Sequence, residues 1–451
     1  MLSQIDKTAE KLRKAGISAK DRIAVLSENT PEYAVLVLAC WKIDAVVVPI
    51  STRYPVSKIN ASLDSIRCQK IFVSSDNTKP ALKAHSCRID DFVRPGKTEF
   101  LFADFDRMNL NLNAHASIIF TSASSGSPKA VLHTIANHYY SALGAGRNIS
   151  FSKGDRWLMS LPIYHISGFS LLMRALLNQG TIVFPDPRDS LKESVLNCRL
   201  THLSVVPAQL SQLLNDFACV DALRKLKAIL VGGSSIPSAL IEESIAQELA
   251  VYTTYGSTEM ASQITTAKPK DLKKFKNSCG RILDFRKLKI SPDGEIIVKG
   301  RTLFQGYVTG DELELKLDEH GYFHTGDIGY MDNGNLFVTG RKDLMFISGG
   351  ENIFPEEIET AIENIEYVEQ AIVVPVDSKT FGQSPVAFVK MQAAKPLDAD
   401  FIKSRLRKNL EGFKIPITFF AWPKFKESSV KPSRKAFLDY AAQLIISSKN
   451  A

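Results

Sequence analysis

Apolar and polar positions follow two rhythms along this chain, and the rhythm changes near Lys289. Ahead of that point short β-rich runs recur: "DRIAVLS", "AVVVPI", "QKIFVSS", "ASIIFTS", "TIVFP", "HLSVVP" and "LKAILVGG". Most are bounded by turn residues, as strands are. Between several of them lie apolar stretches of helical period, such as "PEYAVLVLACWKI" and "PAQLSQLLNDF". That alternation predicts α/β layers with largely parallel sheets. From Lys289 the pattern shortens to "KISPDGEIIVKG" and "GYMDNGNLFVTG", which predict hairpins turning at Asp-Gly and Asn-Gly. After Gly340, "RKDLMFISGGENIFPEEIETAIENI" predicts a loop and then a helix opening on Pro355, with acids in its first turn. Strands in "EQAIVVPV" and "PVAFVKM" and a helix in "DADFIKSRLRKNL" complete a small α+β unit. The expected division is therefore a core over residues 1–340 and a small unit over 341–451.

Composition narrows the class without naming the chemistry. A chain of 451 residues exceeds one ordinary core, and 45% apolar with 23% charged residues is the balance of a soluble globular protein. Spanning a bilayer needs roughly 18 uninterrupted apolar residues. The nearest approach, "AVLVLACWKIDAVVVPI", is broken by Lys42 and Asp44 and reads as a buried helix followed by a strand. The first residues, "MLSQIDKTAEKLRKAG", read as a polar amphipathic helix rather than a signal peptide. Six scattered cysteines show neither C-x-x-C nor metal spacing, so reduced thiols and a cytoplasmic setting are expected. A net charge of +8 admits nucleic acid or a polyanionic small substrate. The basic residues are interspersed with acids and form no stripe interleaved with aromatics, which disfavours nucleic acid.

Four stretches carry candidate chemistry. In "TSASSGSPK", Thr121, Ser122, Ser124, Ser125 and Gly126 follow an apolar strand and lead to Lys129. Strand-end amides, hydroxyls and an ammonium can ring phosphate oxygens, though such loops are commonly plain turns. In "TTYGSTEMASQ", Thr254, Tyr255 and Gly256 precede Thr258 and Glu259. Tyr255 offers a face to a purine, Thr258 a hydroxyl to phosphate, and Glu259 a hard carboxylate to Mg2+; an ordinary strand end is the alternative. In "HTGDIGYMDNGNLFVTGRKD", Asp327 could accept from a ribose diol and Arg341 reach sugar or phosphate, or both could serve hairpin turns. Lys431, in "SSVKPSRKAF", is by itself an ordinary surface lysine.

Taken in order along one chain, these stretches resemble the adenylate-forming superfamily of acyl-CoA synthetases, peptide-synthetase adenylation domains and luciferases. The family's T-S-G-[ST]-T-G-x-P-K falls on Thr121–Lys129 with Ala123 for glycine, and its Y-G-x-T-E on Tyr255–Glu259. Its T-G-D falls on Thr325–Asp327 and its G-R-x-[DK] hinge on Gly340–Asp343. The glycine before the last lysine is Val430 here, while Arg434 keeps its place; relatives usually carry a longer stretch ahead of this start. The resemblance implies a large domain of layered sheets and helices with a small β-barrel-like part, and a small mobile C-terminal α+β domain. It implies ATP, Mg2+ and CoA: a carboxylate attacks the α-phosphate, pyrophosphate leaves, and a thiol attacks the acyl-adenylate. By the same resemblance the serine loop, Lys129 and Gly232 serve the nucleotide, and Glu259 holds Mg2+. Asp327 and Arg341 hold the ribose, Lys431 bridges carboxylate and phosphate, and Asp343, Gly349 and Gly350 serve the hinge and the CoA arm. Homodimers are unsurprising in the family.

The acid is approached through "SLPIYHISGF". Peptide-synthetase domains place there an aspartate that grips an ammonium; His165 stands in its place, which disfavours amino acids. "LPIYHISG", "VVPAQL", "VGGSSIP", "TYGSTEMASQI" and "ISGGENIFPEEIE" most resemble o-succinylbenzoate–CoA ligases of menaquinone synthesis. That resemblance implies His165 beside the reacting carboxylate, with Ser167, Gly168, Gln209, Ser257, Ser262 and Gln263 lining the acid site. The alternatives are a medium-chain or aryl acyl-CoA ligase and a degenerate, non-catalytic nucleotide-binding relative.

Overall fold

The structure is a computed structural model that describes residues 2–77, 79, 81–94, 99–101, 105–121, 128–378, 381–392, 395–408, 410–423 and 434–449. Among these residues two eight-stranded sheets form the large part. The first runs in the order Glu312–Glu314, Gly306–Thr309, Ala130–Thr134, His115–Phe120, Val46–Ile50, Arg22–Leu26, Lys70–Val73, His85–Arg88. Its later strands are parallel, whereas Ala130–Thr134 turns back antiparallel on His115–Phe120, so Thr121 and Lys129 stand side by side at the ends of paired strands. In the second sheet Thr181–Val183, Arg156–Leu158, His202–Val205, Ala228–Val231 and Val251–Ser257 run parallel. Ser262–Ala267 then folds back antiparallel on Val251–Ser257.

Helices between the sheets explain the long apolar runs. Thr30 caps the helix Pro31–Lys42 by accepting from the Tyr33 amide, and proline opens its first turn. That helix buries Tyr33 through Trp41 without a polar face, because sheets lie on both sides of it. Trp41 donates its indole N–H to the Ala116 carbonyl at 3.0 Å. Residues of both sheets and of the Ile166–Asn178 helix share its core, which includes Val25, Val47, Trp157, Phe169 and Leu172. Each such fully buried side chain contributes about 2–3 kcal/mol.

The expected hairpins form a four-stranded antiparallel sheet of Arg286–Ile290, Glu295–Gly300, Phe323–Asp332 and Asn335–Arg341. Among the described residues this sheet is an open path rather than a closed barrel, and a bridge from Gly280 to Leu336 ties it to the larger sheets. Beyond it, Phe346–Ser348, Glu351–Ile353, Val368–Ser378, Gly382–Met391 and Thr418–Ala421 form a separate sheet. The helices Pro355–Glu363 and Ala399–Leu406 pack there around Ile358, Ile362 and Ile402. No helix among the described residues is long and apolar enough to cross a membrane.

Candidate active site

A tight hairpin between the second sheet's last long strands carries the aromatic and acidic candidates. The ladder slips between Tyr255 and Gly256, and a Cβ on Gly256 would stand 2.1 Å from the Ser262 carbonyl oxygen. Only glycine allows that approach. Tyr255 is thereby buried, and its hydroxyl donates to Asp327 Oδ2 at 2.6 Å. Asp327 follows Gly326 at φ +74°, and its amide donates to Thr325 Oγ1 at 3.0 Å. The strand register sets Asp327 opposite Arg341, whose Nη1 donates to Asp327 Oδ1 at 3.1 Å while Nε reaches Asp343 at 3.0 Å. Burial raises the Asp327 pKa, an effect that its donors Tyr255 and Arg341 only partly offset. The Arg341 pKa is also raised: burial opposes the charged form, but Asp343 and Asp327 outweigh it.

Glu259 accepts at Oε1 from the Tyr307 hydroxyl at 2.8 Å. The Thr258 carbonyl faces His133 Nε2 at 2.8 Å, so the buried His133 ring, as the donor, supports the turn from beneath. Lys129 leaves the serine loop along the next strand: Thr121 and Lys129 close the loop base through bonds of 2.9 and 3.2 Å. The Lys129 ammonium lies over the Tyr307 ring, 4.9 Å from its centroid. Asp327 feels the Glu259 charge and Tyr307 feels that of Arg341, so residues from Lys129 to Arg341 share one neighbourhood. Gly232 passes close to Thr254, and a Cβ there would lie 2.7 Å from Thr254 Cγ2. Thr254 spends its hydroxyl on the Thr265 carbonyl at 2.7 Å.

The acid-side candidates cluster around one helix. His165 is the residue before the helix Ile166–Asn178, which starts tightly because a Cβ on Gly168 would stand 2.3 Å from the Pro162 carbonyl oxygen. The His165 side chain meets solvent, yet desolvation and then the Arg53 charge lower its pKa, as expected for an imidazole in a cleft. It is therefore neutral near pH 7. Ser167 is exposed; on the same helical face Ser170 donates to Ser262 Oγ at 3.3 Å. One turn further, Arg174 Nη2 donates to Gln263 Oε1 at 2.5 Å. Gln263 is buried and also bonds Thr266, whereas Ser257 Oγ is buried without a hydrogen-bond partner. Gln209 uses its Oε1 to accept from the Val206 amide at 3.0 Å, which caps the helix Pro207–Leu214.

Two arginines stand out that the motifs did not include. Arg174 is 4% exposed and stacks over Trp157, and its Nε lacks a partner. Arg286 is buried beside it and spends its guanidinium on the Gln263 and Asp284 carbonyls and on Ser141. Burial lowers the Arg174 pKa to about 10; burial and then Arg174 lower that of Arg286 to about 9. Among the described residues neither guanidinium has a carboxylate at ion-pair distance. The signal for Arg174 was present in the sequence: it is the lone charge in "ISGFSLLMRALLN".

Asp343 pairs with Arg341, and Gly349 and Gly350 lie exposed at the tip of the Phe346–Ile353 hairpin, at φ +60° and +91°. Arg434 starts the helix Arg434–Lys449 and grips Glu359. Ser122, Ser124, Ser125, Gly126 and Lys431, with Ala123 and Val430, lie outside the described residues. Mg2+ commonly takes one or two carboxylates and completes its shell with water and phosphate. Glu259, whose Oε1 alone is taken by Tyr307, fits that requirement. Among the described residues no group of three or more His, Cys, Asp or Glu side chains forms a protein-only metal cage.

Comparison with known proteins meets this geometry. A 2-succinylbenzoate–CoA ligase of Haemophilus influenzae is 33% identical over 447 residues, covering 98% of this chain and 92% of that one. That of Oceanobacillus iheyensis is 31% identical over 428 residues, covering 90% and 86%. The o-succinylbenzoate coenzyme A synthetase (MenE) of Bacillus subtilis, solved with ATP and magnesium ion, superposes with a TM-score of 0.84. Its identity is 28%, over 96% of this chain and 92% of that one. An arginine-to-lysine variant of E. coli MenE with bound OSB-AMS gives 0.80 at 28% identity, covering 97% and 91%. The family profile described as AMP-binding enzyme matches residues 1–308, and its C-terminal domain profile matches 357–429. With a fold, a motif order and a sequence that agree over nearly its whole length, the chain belongs to the AMP-binding enzyme family.

Proposed function

We propose that this chain is an ATP-dependent acid–CoA ligase that converts 2-succinylbenzoate to 2-succinylbenzoyl-CoA, a reaction of menaquinone biosynthesis. A carboxylate oxygen attacks the α-phosphorus, the bond to pyrophosphate breaks, and the acyl-adenylate forms. The CoA thiol then attacks the carbonyl and AMP leaves. Displacement at phosphorus needs in-line placement and fixed countercharge. Asp327 and Arg341 hold the ribose, Tyr255 faces the base, and Lys129 with its loop receives the leaving phosphates. Glu259, with the phosphates, would hold Mg2+, which would supply further charge neutralisation when bound. Neutral His165 orients the attacking carboxylate without trapping it as an ion pair, and Lys431 bridges that carboxylate and the α-phosphate. The small C-terminal unit turns about Asp343 between the steps and brings Gly349 and Gly350 to the CoA arm. The six free cysteines suit a reducing compartment, so we place the reaction in the cytoplasm.

The observation that carries the choice of acid is Arg174. A buried guanidinium without an acidic partner is unfavourable unless an anion completes it. An acid with one carboxylate to activate and a second to anchor meets that need. The test is pyrophosphate release over a panel of acids, with and without CoA. 2-Succinylbenzoate should lead the panel; equal or faster turnover of octanoate or benzoate sinks the specific assignment. ATP binding with no release from any acid would favour a non-catalytic relative.

A further inference from the structure

Tyr307 lies between two residues that serve different parts of the nucleotide–metal site, and none of the motifs includes it. It stands in "FQGYVTG" on the strand Gly306–Thr309, where Tyr307 pairs with Val131 and Gly306 with Leu132. That register sets the ring beside the strand that leaves the serine loop. Edge contacts with Phe304 and Phe323, at centroid distances of 4.9 and 6.5 Å, hold the ring in place. From there its hydroxyl donates to Glu259 Oε1 at 2.8 Å, and its face lies 4.9 Å beneath the Lys129 ammonium.

The consequences are specific to a metal–phosphate site. A glutamate can swing either oxygen toward a cation; donation to Oε1 leaves Oε2 as the oxygen turned to the site. Mg2+ tolerates little departure from octahedral geometry, so the direction of that oxygen matters. Lysine carries its charge on a flexible stem, and an aromatic face beneath it restricts where the charge rests.

We propose that Tyr307 is a positioning residue: its hydroxyl aims Glu259 Oε2 at the divalent cation and its ring holds Lys129 along the phosphate path. This rests on the MgATP reading above. The test measures pyrophosphate release against Mg2+ concentration at saturating ATP and acid, for wild type, Tyr307→Phe and Tyr307→Leu. Tyr307→Phe keeps the ring, so the Mg2+ needed for half-maximal rate should rise about tenfold, the loss of one hydrogen bond to a charged group. KM for the acid and the melting temperature should stay as in wild type. Tyr307→Leu should add a rise of about threefold or more in KM for ATP at saturating Mg2+, from loss of the ring beneath Lys129. A Tyr307→Phe Mg2+ curve that superposes on wild type, or shifts to lower Mg2+, overturns the Glu259 half. An unchanged KM for ATP in folded Tyr307→Leu overturns the Lys129 half; if that variant does not fold, Tyr307→Met, which also lacks the ring, takes its place in that measurement. Absence of Mg2+-dependent release in wild type would instead sink the nucleotide reading itself.

Discussion

Arg174 is a residue whose meaning depends on burial rather than on type. Lone arginines on helices commonly point to solvent; this one is enclosed by Trp157 and Gln263 and has the charge of Arg286 nearby. If it anchors the second carboxylate, Arg174→Met should raise KM for 2-succinylbenzoate about tenfold or more, since a charge-assisted hydrogen bond is lost. KM for ATP should not follow. Arg174→Lys should fall between, because lysine keeps the charge without the planar fork. Equal rises in both KM values would show a general defect and remove the anchor role. Asp327 and Arg341 were legible in sequence because a turn needs Gly-Asp and a motif sets the spacing. Arg174 was legible only as the lone charge of an apolar helix, since its neighbours could not say which of its faces meets the second sheet. Gln209 shows the converse: a polar side chain chosen as a substrate contact has its oxygen engaged in capping its own helix.

Elements built from local chemistry were readable; their partners were not. Asp-Gly and Asn-Gly turns, the Pro31 and Pro355 helix starts and the unbroken apolar strands follow from short stretches of sequence. That Val46–Ile50 lies beside His115–Phe120 does not, because parallel neighbours are joined by long crossovers. One element-level contact governs the C-terminal unit. Glu359, on the helix Pro355–Glu363, accepts from Arg434 at 2.9 Å and from the Val373 amide at 2.6 Å, so it joins two helices and a strand. Arg434 is three residues after Lys431 and begins the helix Arg434–Lys449. Glu359→Ala would leave the half-buried Arg434 guanidinium without its carboxylate, keeping only the Val373 carbonyl, a loss of about 1–2 kcal/mol. Adenylation should fall more than tenfold while ATP binding to the large part persists, measured by calorimetry beside pyrophosphate release. Unchanged pyrophosphate release would show that the ion pair has no part in setting the lysine.

At the scale of the molecule, two sheets enclosing shared helices bury histidines among apolar side chains, and that sets a pH dependence. His133, His138 and His202 are all buried. Burial lowers the pKa of His133 and of His202 to about 4 and drives that of His138 well below its ordinary value. In the unfolded chain each titrates near the ordinary value of about 6.5. Between those limits the unfolded state takes up protons that the native state refuses, so stability rises with pH there. The contribution is complete above about pH 6.5 and is lost progressively as pH falls toward 4. At pH 5 each imidazole accounts for a loss of about 2 kcal/mol relative to pH 7. Carboxylates held below their ordinary values, such as Asp293 at about 2, lose their contribution at lower pH, while Asp327 and Glu356, whose pKa burial raises, offset part of the histidine effect within this window. The urea midpoint of the large part should therefore fall clearly from pH 7 to pH 5. His202→Gln, which keeps a polar partner for the Ser150 carbonyl but cannot take the proton, should flatten that fall. An equal midpoint at the two pH values would mean that the buried imidazoles are hydrated enough to titrate normally.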